Sequence, residues 1–302
     1  MIGRDERKLR AAASSLGLEW AVARIDDAAS LDRAFAGAAA VINCAGPFLD
    51  TAPAVIEASL RAGAHYLDVT AEQGAALGAF EHYEEAAREA DIAIVPAMAF
   101  YGGPGDLLAT AALADWTGAD TIELGVALDS WLPTRGTRLT GARNTARRLV
   151  VSDGRLDLLP DPAPQRSWDF PAPFGTQSMV ALPFTETILI SRHIQARKVN
   201  AYFNLKPLAD IRNPDTPPPS PADESGASAQ LFVVEAGVRR NDETRRRSAR
   251  GRDIYAITAP LVVEGAERVL SGRITRTGVV APGEVFCARS FLEALSPLLT
   301  VD

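Results

Sequence analysis

The 302 residues contain only two cysteines, Cys44 and Cys287, and three histidines, His65, His82 and His193. Two cysteines so far apart make neither a disulfide framework nor a metal set, and both read as small buried residues. With no HExxH or CxxC spacing, the common zinc sites are excluded. No apolar run approaches the roughly eighteen residues of a membrane span, because charges or prolines interrupt each one. The start is too charged for a secretory h-region. Charge of one sign is also missing: 31 Lys and Arg stand against 38 Asp and Glu, a net charge of -7 spread over mixed segments. A nucleic-acid surface needs a basic face, and none is present. These absences leave a soluble chain, expected in the cytoplasm, with no membrane or nucleic-acid partner. Its 47% hydrophobic residues suffice for one large or two modest domains.

What is present is a β-α alternation. Leu9, Ala12, Ala13 and Leu16 share one helical face, and Gly17 stops that helix. "LEWAVA" alternates as a strand, Ser30 caps a short helix, and "AAVINCAG" is a buried apolar run ending in glycine. Thr51 and Pro53 open a helix that stops at Gly63, "HYLDVT" is the next strand, and Leu77, Phe80, Tyr83 and Ala87 mark a further helix. "DIAIVPA" then leads into the loop "MAFYGGPGD". Such spacing predicts a parallel, doubly wound sheet over residues 1–116. From 117 to 257 the pattern changes to "TIELGVAL", "RRLVV", "GRLDLL", "VNAYFNL" and "QLFVVEAGV", separated by turns such as Asp153-Gly154 and Asn241-Asp242. This predicts a second, α+β domain with a mostly antiparallel sheet. "PLADIRNPDTPPPSPADESGASA" reads as a surface loop, and "VRRNDETRRRSARGR" as a solvated hairpin. Residues 258–302 read as C-terminal helices, the first capped by Thr258.

Three stretches could carry chemistry. In a dinucleotide-binding fold the end of the second strand reads the adenosine ribose, and an arginine there neutralises the 2′-phosphate of NADP. "IGRDERKL" places Gly3 and Arg4 at such a strand–helix junction, which is equally a plain turn and cap. "VINCAGPFLDTAP" ends a buried strand in Cys44, Ala45, Gly46, Pro47 and Phe48, where small residues let a flat ligand approach the backbone. The third, "IAIVPAMAFYGGPGDLLATAALADWTGADTIELGVALDS", runs strand, glycine loop, helix and strand and ends at Asp129, as a dinucleotide fingerprint would. Against this, Leu108 replaces the third glycine and Pro104 removes an amide donor. That loop more naturally faces the cleft, with Tyr101 and Asp106 near the substrate.

The run "VINCAGPFLDTAPAVIEASLRAGAHYLDVTAE", with "GRDERKL" before it and "AFYGGPGDLLA" after it, resembles the saccharopine dehydrogenase-like NADP-binding oxidoreductases, including their enoyl-reductase-like branch. The resemblance implies a Rossmann domain, a second domain with an antiparallel sheet, and C-terminal helices returning to the first domain. It places Arg4 on the 2′-phosphate, Ala45 to Phe48 beside the nicotinamide half, and Asp68 and Thr70 at the next strand end. The cofactor it implies is NADP rather than NAD. Nothing like the family's first strand and glycine-rich turn precedes Met1. The resemblance therefore implies a truncated member that lacks its first β-α unit and its pyrophosphate cradle, and a chain of marginal stability.

Hydride transfer at a nicotinamide asks of the protein geometry and at most one proton donor. Tyr101 is the first candidate, followed by Asp106 and His193. Each also has a bland reading: a tyrosine packed on the cleft wall, an N-cap aspartate, and a surface histidine beside two arginines. An oxidoreductase acting on a small molecule, a non-catalytic NADP-binding sensor or scaffold, and a pseudoenzyme all remain open, and each is compatible with a homodimer.

Overall fold

A computed structural model describes all residues, 1–302. Its first third alternates as β1 (Ile2–Gly3), α1 (Glu6–Leu16), β2 (Ala21–Val22), α2 (Ala28–Phe35), β3 (Ala40–Asn43), α3 (Phe48–Ala62), β4 (His65–Asp68), α4 (Gln73–Glu89), β5 (Ala93–Val95) and α5 (Gly103–Leu113). The strands are all parallel, but they form two sheets, β1 with β2 and β3-β4-β5 in a second. Asp5 and Asp27 cap α1 and α2 by accepting N–H bonds from Lys8 and Ser30, and left-handed glycines, Gly17 and Gly63, end α1 and α3. The strand expected across "LEWAVA" is confined to β2. α3 starts at Phe48, three residues before the expected Thr51.

The middle of the chain continues as β6 (Gly118–Leu128), α6 (Arg135–Arg143), β7 (Leu149–Ser152), β8 (Arg155–Leu158), β9 (Gln165–Asp169), β10 (Thr176–Ala181), α7 (Thr185–His193), β11 (Gln195–Asn204), α8 (Leu205–Arg212), β12 (Leu231–Arg240) and β13 (Glu243–Arg252). The last elements are α9 (Thr258–Leu270), β14 (Gly278–Val279), α10 (Pro282–Val285), α11 (Ala288–Ala294) and β15 (Leu299–Val301). Here the nine-stranded sheet runs β15-β13-β12-β6-β11-β10-β9, with the β7–β8 hairpin attached to β11. Its ladders are antiparallel except β6–β11. The fold is thus mixed α/β, with parallel sheets followed by a mostly antiparallel one. α8 occupies the start of the stretch read as a surface loop, and Thr258 bonds back to the Ile254 carbonyl rather than capping α9.

The chain's end returns to the parallel layer. β14 pairs with β5, giving the order β14-β5-β4-β3, and α9 packs on β3 and β4. The main core lies between the large sheet and its helices: Leu107 and Leu108 of α5, Ile122 and Leu124 of β6, and Phe291 of α11 are each at most 1% exposed. α5 is apolar almost all round because it is surrounded, whereas α6 buries nothing. On the sheet's far face the Trp168 ring lies flat on Gly125, where a Cβ would come within 2.7 Å of the indole. No helix is long and apolar enough to cross a membrane.

Candidate functional site

The carboxyl ends of β3, β4 and β5 come together, as parallel pairing requires, and a buried polar chain ties them. Asn43 Nδ2 donates to Thr51 Oγ1 (3.4 Å) and to the Tyr66 hydroxyl (3.2 Å), and that hydroxyl donates to Asp68 Oδ2 (2.9 Å). Asp68 Oδ1 accepts the N–H groups of Thr70 (2.9 Å) and Ala97 (2.8 Å). Burial pushes the Asp68 carboxyl up to about 6, although these donors pull the other way. Asp68 and Thr70, expected to touch the cofactor, are at most 1% exposed, and every Asp68 oxygen is engaged inside. They lie beneath the surface at the strand ends.

Cys44, Ala45 and Gly46 are exposed and Pro47 partly so, while Phe48 is buried. Cys44 is therefore not the buried residue expected, and neither is Cys287. The N–H groups of Phe48 and Leu49, at the start of α3, donate to the Glu72 carboxylate at 2.7 and 3.4 Å. Glu72, only 2% exposed, fills this helix end as an anion would. Pairing over a separation of 24 residues gave no signal in the sequence.

The β5–α5 loop carries Tyr101. Its ring stacks on Phe184 (centroids 4.4 Å apart) and leans on Trp131 (5.4 Å). Its hydroxyl is buried with no hydrogen-bond partner, and burial raises the phenol well above its ordinary value. The phenol thus stays protonated and has an unused donor. Gly102 must be glycine, since a Cβ there would collide with the Ala97 carbonyl and come within 2.8 Å of Thr185 Oγ1. Asp106 is not the N-cap expected. It lies inside α5 with no exposure, Oδ1 on His193 Nε2 (2.7 Å) and Oδ2 on the Gly283 N–H (2.6 Å). His193 is correspondingly not a surface residue: its side chain is 10% exposed, and although burial lowers its pKa, the Asp106 charge raises it overall. This pair locks α5, α7 and α10 together and offers the cleft no free group. Asp129, the last residue of the alternative fingerprint, follows β6 of the large sheet and accepts the Leu231 N–H. It stands outside the parallel layer.

The opposite wall comes from the second sheet. Gln73, the first residue of α4, donates to the carbonyls of Leu149 (2.9 Å) and Phe184 (2.8 Å) and accepts the Leu149 N–H (2.8 Å). It pins β7 and the start of α7 above the end of β4. The Tyr255 hydroxyl gathers Trp131 Nε1 (3.2 Å), the Thr134 N–H (3.3 Å) and Thr137 Oγ1 (2.9 Å), fixing the start of α6. α6 then reaches over the β3–α3 turn, where Arg143 pairs with Asp50 at 2.8 Å. Sequence reading missed Gln73, Tyr255 and Glu72 because no motif marks a side chain that bonds distant backbone.

Arg4 sits exposed between β1 and α1, with no hydrogen bond or ion pair. An unpaired guanidinium at a strand–helix junction fits a 2′-phosphate, and the small, exposed residues at 44–46 fit a flat ring. The starts of α1, α2 and α3 are closed by Asp5, Asp27 and Glu72, so none of these three cradles a phosphate. No group of three or more His, Cys, Asp or Glu is placed to hold a metal ion.

Comparison with known proteins bears on this geometry. Residues 1–95 match the family described as Saccharopine dehydrogenase NADP binding domain. A comparison with curated proteins gives no match. Among solved structures, apo saccharopine dehydrogenase (L-Glu forming) from Saccharomyces cerevisiae aligns over 100% of this chain and 93% of its own, at 14% identity and a TM-score of 0.66. An amine dehydrogenase from Mycobacterium smegmatis aligns over 94% and 88%, at 11% identity and a TM-score of 0.45. The yeast likeness shows the fold. Residues 1–95 are thus similar to the saccharopine dehydrogenase NADP-binding domain family, within a chain that shares the overall fold of the yeast dehydrogenase.

Proposed function

We propose that the protein is an NADP-dependent oxidoreductase of the saccharopine dehydrogenase-like type, acting on a small molecule in the cytoplasm. The observation that carries this reading is the NADP-binding family match over the same residues whose strand ends come together. The working division is a dinucleotide-binding unit over 1–116, a second unit over 117–257, and a C-terminal segment, 258–302, that returns to the first. Arg4, beside Gly3, would hold the 2′-phosphate, and Cys44 to Phe48 would bound the nicotinamide half. Asp68 and Thr70 act from below, by keeping three strand ends in register. When bound, the nicotinamide supplies the hydride chemistry. Tyr101, held protonated by burial, would donate its O–H to the substrate atom on which negative charge develops. Phe184 and Trp131 orient that ring and keep water from it.

One observation favours a second reading, a non-catalytic NADP-binding sensor. The Asp106–His193 pair is sealed away, which leaves Tyr101 without an acid–base partner. Fluorescence titration with NADPH followed by turnover assays on carbonyl, imine and enoyl compounds separates the two. Turnover of any one supports the enzyme, and binding with no turnover on all three supports the sensor.

A further inference from the structure

A guanidinium taken out of water needs an anion or a full set of acceptors. The most buried arginine, Arg268, obeys this: it pairs with Glu264 at 2.6 Å and bonds the Ser290 hydroxyl (3.0 Å) and carbonyl (2.9 Å). Arg148 does not. Its guanidinium lies 4.3 Å above the Phe184 ring, and Nη1 donates to the Pro183 carbonyl (2.7 Å). That is the guanidinium's only hydrogen bond, and it joins no ion pair. Glu186, on the same stretch, forms no ion pair with it: the Glu186 carboxyl accepts the Phe184 N–H at 2.8 Å, and burial pushes its pKa up to about 7. Burial in turn lowers the pKa of Arg148, against the weaker pull of Glu186.

The surroundings of Arg148 add a second unmet donor. Tyr101 packs on the same Phe184 ring, and its buried hydroxyl has no acceptor. The neighbouring residue, Leu149, is bonded through both its N–H and its carbonyl to Gln73 at the start of α4, which holds Arg148 beside the start of α7. A cation with unused N–H groups and an orphaned O–H both pack on the Phe184 ring.

We propose that Arg148 is the receptor for a carboxylate on an organic molecule whose apolar body lies against Phe184. The planar guanidinium fork matches a carboxylate in two parallel bonds, and the ring gives an attached acyl or alkyl chain a surface. That this molecule is the substrate rests on the oxidoreductase reading; the anion site itself does not.

Thermal unfolding of the full chain at constant ionic strength tests the site, with butyrate and inorganic phosphate as probes and wild type, Arg148→Lys and Arg148→Met compared. Butyrate is expected to raise the wild-type Tm with a saturating dose dependence. In Arg148→Met the apparent affinity should fall at least tenfold, and Arg148→Lys, a point charge without the fork, should lie between. The unliganded Arg148→Met protein should melt no lower than wild type, since the change removes a cation without a counter-ion. A wild-type Tm unmoved by butyrate, an equal rise in Arg148→Met, or a response to phosphate alone would each overturn the proposal. Should Arg148→Met fail to fold, the wild-type and Arg148→Lys titrations decide: an equal butyrate response in both refutes the fork. NADPH titration of the same samples tests the oxidoreductase reading separately, because the butyrate response requires no cofactor.

Discussion

Replacing Asp68 by asparagine tests whether the strand ends are held by a carboxylate that resists ionisation. In the native protein the group titrates near 6, against an ordinary value of 3.8. The native state therefore keeps its proton while the unfolded chain has already lost it. Stability from this group is fully present below 3.8, is lost as pH rises towards 6, and is constant above that. A difference of about two units is worth about 3 kcal/mol. Asparagine carries no such proton, but its Nδ2 cannot accept the Tyr66 O–H, at a pH-independent cost of about 1–3 kcal/mol. Urea unfolding of both proteins at a series of pH values gives the difference, wild type minus variant. That difference should fall by about 3 kcal/mol between roughly pH 3 and pH 7. Glu186 titrates in the same direction but is present in both proteins and cancels. A difference that is flat, or that rises with pH as for an ion-paired aspartate, would refute the assignment.

Other substitutions separate holding from reacting. Gln73→Ala removes three hydrogen bonds between the two halves of the site and should cost about 3 kcal/mol, read by urea unfolding. A loss below about 0.5 kcal/mol would mean the pin is slack. Tyr101→Phe removes a buried hydroxyl that bonds to nothing, so Tm should hold or rise. Turnover on whichever carbonyl, imine or enoyl compound proves active should fall about 10²- to 10⁴-fold, and unchanged turnover would exclude Tyr101 as the donor.

The alternation of β1 to α5 was legible because period and punctuation agree there: short apolar runs alternate with amphipathic helices, two of which stop at Gly17 and Gly63. The hairpin of β12 and β13 was legible for the same reason, with Asn241-Asp242 at its turn. α6 and α7 were not. "RGTRLTGAR" has no apolar stripe because it buries nothing, and "TETILISRH" shows no split into polar and apolar faces because Thr185 to Ile190, polar and apolar alike, are all buried. β9 and β10 were hidden by the prolines around Trp168 and Phe170, though Trp168 anchors that hairpin. Within the site, residue types at strand ends were readable, but their orientation was not. Asp68 and Thr70 came from the resemblance and Asp106 from its place in the glycine loop, and the fold turns all three inward. His193 meets Asp106 across 87 residues of sequence, a pairing that only the packing of α5 against α7 creates.

The most direct test of the NADP reading is the affinity of the protein for NADPH and NADH, measured by fluorescence in wild type and in Arg4→Ala. A charge-assisted contact to the 2′-phosphate is worth about 1.5–3 kcal/mol, or roughly 10- to 150-fold. Wild type should therefore prefer NADPH by about that factor, and Arg4→Ala should bind the two equally, with NADH affinity unchanged. Equal affinity for both cofactors in wild type, or a preference for NADPH that survives loss of Arg4, would contradict it.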